Sequence, residues 1–205
     1  MFRMTAMLIS TVSEDLCLDY THTVSWRGGD APIERLEDID DLLQWIEHNA
    51  GVEREVLRRI GRWTRDNPEY AQALLDEAVT TRETIYRILS AIAEGKPVPD
   101  KDFARLTRAI AETPPRNALV RSDGRFGWRI AELRPVVAHL LAPVLWSAGD
   151  LILAADRRRI RRCANEECLW LFLDESKSGT RRWCDMASCG NRAKARRHYS
   201  KTKQS

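Results

Sequence analysis

Apolar residues recur along most of this chain at the spacing of an α-helix. Asp38 stands as a capping residue before Ile39, Leu42, Leu43 and Ile46, a helix that stops near Asn49 to Gly51. Val56, Leu57, Ile60 and Trp63 share one face of a second helix predicted from Glu53 to about Arg65. Asn67-Pro68 places a cap ahead of a proline at the first helical position. From Pro68 to Glu94 nothing breaks the pattern, and Gly95 closes it. Those 27 residues make a helix of about 40 Å, with Leu74, Leu75, Val79, Ile85, Tyr86, Leu89 and Ile92 as its buried stripe. A turn at Lys96-Pro-Val-Pro99 leads into a capped helix from Asp100 to Glu112, ended by Pro114-Pro115.

The helical period fails in two places before the last quarter. Leu16 to Val24 has the β-branched and aromatic content of a strand, or of an extended segment entering a helix. Ala118 to Arg121 and Arg125 to Ile130 flank Ser122-Asp-Gly124, a hairpin signal. Helix then resumes from Glu132 to about Asp156, with Pro135 in its first turn and Pro143 bending it.

Composition adds little until it is resolved along the chain. A hydrophobic fraction of 43% and a charged fraction of 31% describe a folded protein of 205 residues. No stretch approaches the roughly 20 apolar residues that span a bilayer. Met1 to Ser10 lacks a small-residue cleavage pattern, so neither membrane nor export is expected and a cytoplasmic location is. The net charge of +3 conceals an asymmetry. Residues 157–205 hold 14 Lys/Arg against 5 Asp/Glu, or +9, which leaves 19 against 25, or −6, for residues 1–156. A segregated basic block points toward a polyanion.

Cysteine is segregated in the same way. Cys17 stands alone and reads as a small buried hydrophobe, whereas Cys163, Cys168, Cys184 and Cys189 fall within 27 residues. Their spacing is Cys-x4-Cys, fifteen residues, Cys-x4-Cys. Two close pairs of thiolates suit one tetrahedral zinc, and with four thiolates no coordination position is left open for catalysis. One structural zinc ion is therefore expected. Cys168 to Leu173 reads as a strand, Glu175 to Gly179 as a turn, and Arg181 to Trp183 as the return toward the second pair. Trp170 and Trp183 read as the miniature core of this unit. The fold class is mainly α with small β elements: a mostly helical domain over 1–156, then a four-cysteine zinc module over 157–205, a β-hairpin followed by a short helix.

Arg182-Trp-Cys-Asp-Met186, Cys189-Gly-Asn-Arg192 and Ala193-Lys-Ala-Arg196 closely resemble the CGNR zinc finger, and Cys163-x4-Cys168 through Ser176 is similar to its first half. Leu16 to Val24 and the helices after it resemble the ABATE domain that commonly precedes this finger. The resemblance implies a stress-linked transcription regulator. Its finger would bind DNA, and its N-terminal domain would sense a small-molecule effector or a partner protein.

Within the module, Gly190 offers an unusual backbone angle after the last ligand, and Asn191 a cap for a helix starting there. Arg192, Lys194, Arg196, Arg197 and Lys201 then form basic rows on that helix, supported by Arg181 and Arg182. These seven residues are the candidate nucleic-acid contacts. Four thiolates around a zinc dication carry −2, so about +7 of the local charge survives their neutralisation. Arg192 is the arginine expected to serve the thiolates or nearby carbonyls. In the helical domain Asp19, His22 and Arg82 are candidate ligand-binding residues, although an internal hydrogen-bonding role suits His22 and Asp19 equally. The helical spacing offers Arg82 no carboxylate on its own helix. Nothing resembles a nucleophile with its base, a phosphate loop or a carboxylate pair, so no enzymatic activity is expected. The competing reading makes the zinc module a protein-interaction or stabilising element that touches no DNA. Pairing into a homodimer is expected only from the habit of DNA-binding proteins to read paired half-sites.

Overall fold

A computed structural model describes residues 7–10, 13, 15–122, 124–130, 133–156 and 159–195. The helices anticipated from periodicity are present: α2 (Ile39–Asn49), α3 (Arg54–Arg65), α4 (Pro68–Ala93) and α5 (Asp100–Ala111). Asp38 caps α2 as its sequence position suggests, its Oδ1 accepting from the Asp41 amide at 2.9 Å. Asn67 does not cap α4. Its Nδ2 donates instead to the Trp63 carbonyl at 2.8 Å, so it ties down the end of α3. At the other end of α4, Gly95 sits at φ 64°. The Lys96 amide there reaches back to the Ala91 carbonyl at 2.9 Å, the wrap that ends many helices.

α4 is the axle of the helical domain. Leu74, Leu75, Ala78, Ile85, Ile88 and Leu89 are buried along it, and α1 (Leu16–Thr21), α2, α3 and α5 all pack on it. The strand alternative for Leu16 to Val24 gives way here. Its first six residues are helical because Leu16, Cys17, Leu18 and Tyr20 are buried together at helical spacing, and only then does the chain extend into β2 (Val24–Ser25). β2 pairs antiparallel with β3 (Ile33–Glu34).

The hairpin is confirmed as β4 (Leu119–Ser122) and β5 (Arg125–Ile130), with Gly124 at φ 76° in its turn. Unanticipated is a third strand, β1 (Met7–Ser10), which pairs with β5 in the register Ile9↔Trp128. The order is β1-β5-β4. The single bent helix expected from Glu132 to Asp156 is instead broken in two, α6 (Val137–Leu140) and α7 (Ala142–Leu153). Pro143 lies in the first turn of α7, where it starts a helix without losing a hydrogen bond. α7 is buried over most of its circumference, including Val144, Leu145, Ala148 and Leu151, and α1 leans on it with the Cys17 amide donating to Ser147 Oγ at 3.1 Å. Burial pushes the Cys17 thiol up to about 12, as befits a side chain that acts only as a hydrophobe. No helix among the described residues is long and apolar enough to cross a membrane.

The last quarter opens with β6 (Ile160–Arg162), which pairs with β7 (Leu171–Leu173). Hence the module's hairpin closes around the first cysteine pair. Arg181 to Trp183, read as the return toward the second pair, forms no strand.

Candidate metal centre and its basic surroundings

Cys163 and Cys168 sit on the turn between β6 and β7. The Cys163 amide donates to the Trp170 carbonyl at 2.8 Å, and the amides of Cys168 and Leu169 both converge on the Asn165 carbonyl. Leu169 takes φ 56° to complete that knuckle. The second pair is brought in by one backbone bond, from the Ala164 amide to the Arg182 carbonyl at 2.8 Å. Cys184 precedes and Cys189 lies within a tight π-helical turn, Met186–Gly190, capped by the Asp185 carboxylate on the Ser188 amide at 2.7 Å.

The four sulfur atoms lie within 4.8 Å of one another. Cys168 and Cys184 are 3.7 Å apart, Cys184 and Cys189 3.8 Å. A tetrahedral zinc with sulfurs at about 2.3 Å sets its ligands roughly 3.8 Å from one another, so this cluster fits one zinc ion. Asn165, fully buried, points Nδ2 at Cys189 Sγ at 3.6 Å, a donor suited to a metal-bound thiolate. Without a cation the thiols cannot all ionise. The first thiolate, at Cys163, is favoured by S–H donation from Cys168 and Cys184, and it pushes both of those thiols up, Cys168 to about 12. A bound dication removes that conflict and accounts for four thiols in one small core.

Two expectations about the second loop are corrected. The helical run begins at Met186, one turn earlier than Asn191, so Asn191 lies inside it and donates to the Ala187 carbonyl at 3.0 Å. Gly190 does not take a left-handed angle. The Met186 sulfur and terminal methyl lie against it, 2.9 Å from where a Cβ would stand, so a larger residue there displaces the end of that side chain.

The arginine expected to serve the metal loop is also corrected. Arg181, not Arg192, serves the metal loop, with Nε on the Trp183 carbonyl at 2.9 Å, Nη2 on the Cys184 carbonyl, and its plane over Phe172. Arg192 leaves the module and lies over the Trp26 ring of the helical domain at 4.2 Å. Arg182 and Lys194 are exposed and have no carboxylate partner among the described residues. Arg196, Arg197 and Lys201 lie outside the described residues.

Asp174 is the organiser that residue spacing alone does not single out. Its Oδ1 accepts from the amide and hydroxyl of Ser176, and its Oδ2 from the Arg181 amide and Arg161 Nε, both at 3.0 Å. The Ser176 hydroxyl and these further donors hold its carboxyl below the usual range.

The module is sealed onto the helical domain. Ile160, Leu171 and Leu173 belong to the main hydrophobic core, while Trp26 joins Trp170 and Trp183 around the cysteines. His22 Nε2 donates to the Leu171 carbonyl at 2.8 Å, and its ring stacks on Trp170 at 4.4 Å. Trp170 Nε1 donates to the Val24 carbonyl at 2.8 Å, and the Tyr86 hydroxyl to Leu169 at 3.0 Å. Gly28 donates to the Glu167 carbonyl at 3.1 Å, so close that a Cβ would lie 2.0 Å from the Glu166 oxygen.

The three ligand candidates of the helical domain are not gathered into one pocket. His22 belongs to this seam, and its burial lowers its pKa. Asp19 is exposed, 3.8 Å from the His22 ring. Arg82 is 2% exposed, and its fork grips Glu34 on β3 at 2.7 and 2.6 Å, with Nη1 also on Thr23. Its Nε bonds the adjacent Glu83 at 2.9 Å, which corrects the expectation that its own helix offers no carboxylate. Glu83 in turn takes both Nη atoms of Arg27. This half-buried network holds β3 and the Trp26 loop against α4.

No curated protein matches the chain in sequence. Family models do. The CGNR zinc finger model matches residues 159–202, the segment that contains the four clustered cysteines. The ABATE model, described as a "Putative stress-induced transcription regulator", matches residues 14–155, more than half of the chain. The chain belongs to the ABATE family and carries a CGNR zinc finger after the ABATE domain.

Proposed function

We propose that this protein is a cytoplasmic transcription regulator whose zinc-stabilised C-terminal module binds DNA and whose helical domain senses an effector. The observation that carries the reading is the uncompensated charge beside the metal cluster. Arg182 and Lys194 are exposed without carboxylate partners among the described residues, and the chain continues from Lys194 to Arg196, Arg197 and Lys201. Phosphate recognition needs such a row. Arg181 and Arg192, by contrast, are committed to the metal loop and to Trp26, so they position the surface rather than touch phosphate. A site closed by four thiolates offers no open coordination position, which supports a binding protein over an enzyme.

Fluorescence anisotropy of the zinc-loaded chain on a random-sequence duplex tests this. Binding falls steeply with salt, by a slope of about −0.9 per phosphate neutralised. Replacing Arg182, Lys194, Arg196 and Arg197 together by alanine abolishes it without releasing zinc. Salt-insensitive binding, or full binding by that variant, overturns the reading.

The interaction reading is favoured by a different observation, the apolar seam through Ile160, Leu171 and Leu173. On this reading the module stabilises the helical domain and contacts no DNA. Absence of anisotropy change in a zinc-replete protein, together with a lower melting temperature on chelation, would select it.

A further inference from the structure

The helical domain holds a cavity of about 560 Å³ between the three-stranded sheet and α7, lined by no residue of the zinc module among the described residues. Its volume falls in the range of about 300–1,000 Å³ that small-molecule sites occupy. Ile9 and Leu151, both buried, form its apolar floor, and the indoles of Trp128 and Trp146 stand at its sides. The Trp146 ring is pinned by Nε1 donating to Thr113 Oγ1 at 3.1 Å.

One ion pair marks its polar edge. Arg116 places Nη1 and Nη2 on the two Asp150 oxygens at 2.7 and 3.1 Å. The two partners are not held equally. The Arg116 guanidinium also faces Trp146 at 5.6 Å and Trp128 at 5.8 Å. Asp150 is 55% exposed, and among the described residues its carboxylate is held by Arg116 alone. A half-exposed pair of this kind contributes little, so Asp150 can return to water at small cost while Arg116 stays on its indoles. The fork it leaves behind matches a carboxylate.

We propose that this cavity binds a small planar aromatic carboxylate, with its ring against Trp128 and Trp146 and its carboxylate on Arg116 in the place of Asp150. An organic cation is the poorer fit, because it must drive Arg116 off two ring faces to reach Asp150. The site runs along α7 from Pro143 to Ala154, and β6 starts six residues beyond Ala154. A ligand there rests on the helix whose end leads along the chain toward the zinc module. That regulatory consequence rests on the DNA-binding reading, whereas ligand binding itself does not.

Calorimetric titration of the zinc-replete full chain, without DNA, decides the matter. The probes are 2-naphthoate, the neutral 2-naphthamide and the cationic 2-naphthylmethylamine. Naphthoate binds saturably at one site, and the other two at least about tenfold more weakly. Arg116→Met weakens naphthoate by about tenfold or more. Asp150→Asn, by removing the resident competitor, tightens it by about threefold. Should Arg116→Met fail to fold, the Asp150→Asn variant and the amide comparison still decide. Equal binding of acid and amide, preference for the amine, unchanged affinity in Asp150→Asn, or no saturable binding up to about 1 mM overturns the proposal. Because no DNA is present, those outcomes leave the DNA-binding reading standing, and loss of DNA binding leaves this one standing.

Discussion

In the helical domain the buried residues form one apolar cluster that runs from Ile9 through α4 to Leu151. In the C-terminal module the separate buried cluster is three thiols, Cys163, Cys168 and Cys189, with Cys184 and three tryptophans packed around them. The first region spends conformational entropy against apolar burial. The second has too few apolar residues for that and relies on a metal. The seam between them is mixed, with Ile160, Leu171 and Leu173 given to the large core and Trp26 lent to the small one. A short unit can thus be metal-dependent in its own fold and still be an integral wall of its neighbour.

Four measurements test this contrast. The largest effect is expected from Cys184→Ser, which removes a ligand from a site whose metal contributes on the order of 10–16 kcal/mol in small zinc modules. Zinc content falls, and the melting temperature of the helical domain falls with it because part of its core loses its support. An unchanged melting temperature would make the two regions independent bodies. Next comes Leu145→Ala, at a fully buried α7 position. It costs about 3 kcal/mol by chemical denaturation and leaves zinc affinity unaltered, which a chelator competition reads directly. Third is Gly28→Ala, whose methyl meets the Glu166 carbonyl across the seam. A loss of about 2 kcal/mol is expected, shared between helical stability and zinc retention. A loss confined to one of them would mean that the seam does not couple the two.

The smallest effect is acid-dependent and confined to the helical domain. Burial works to raise Glu34 and Glu83. The hydrogen bonds and charges of Arg82 and Arg27 outweigh it and hold both carboxyls below their ordinary value of 4.5. Depressed carboxyls contribute stability that is fully present above that ordinary value and is lost as pH falls through the lower folded values. The stability of an Arg82→Met variant therefore changes less between pH 6 and pH 3 than that of the unmodified chain, roughly by the share these two carboxylates contribute. Equal pH slopes for the two would remove this network from the account.

What the sequence discloses follows from the range of the interactions involved. α2 to α5 were legible because a helix is a local object with an uninterrupted apolar period, and the cysteine pairs because ligand spacing within a loop is local too. α1 was ambiguous because Tyr20, Thr21 and Thr23 have strand composition, and packing on α4 and α7 decides against it. β6 was hidden in a run of arginines, Arg159 to Arg162, of which only Ile160 looks like a strand residue. The bidentate partner of Arg82 was illegible for a simpler reason: Glu34 lies 48 positions away and is brought in by the β2–β3 hairpin. Arg181 took the place expected of Arg192 because each lies three residues from a ligand, and only the knuckle geometry decides which fork reaches the loop carbonyls.

The donation of Ile160, Leu171 and Leu173 to the main core bears on how this polypeptide is made. During synthesis the helices leave the ribosome before the cysteines do, and domains commonly fold as they emerge. Here the face that α4 offers to β6 and β7 stays uncovered until the final segment has been translated and has captured its ion. A cell short of zinc would accumulate not a helical domain with a loose tail but a body missing one wall, open to proteases and chaperones. Abundance of the whole protein then tracks metal supply.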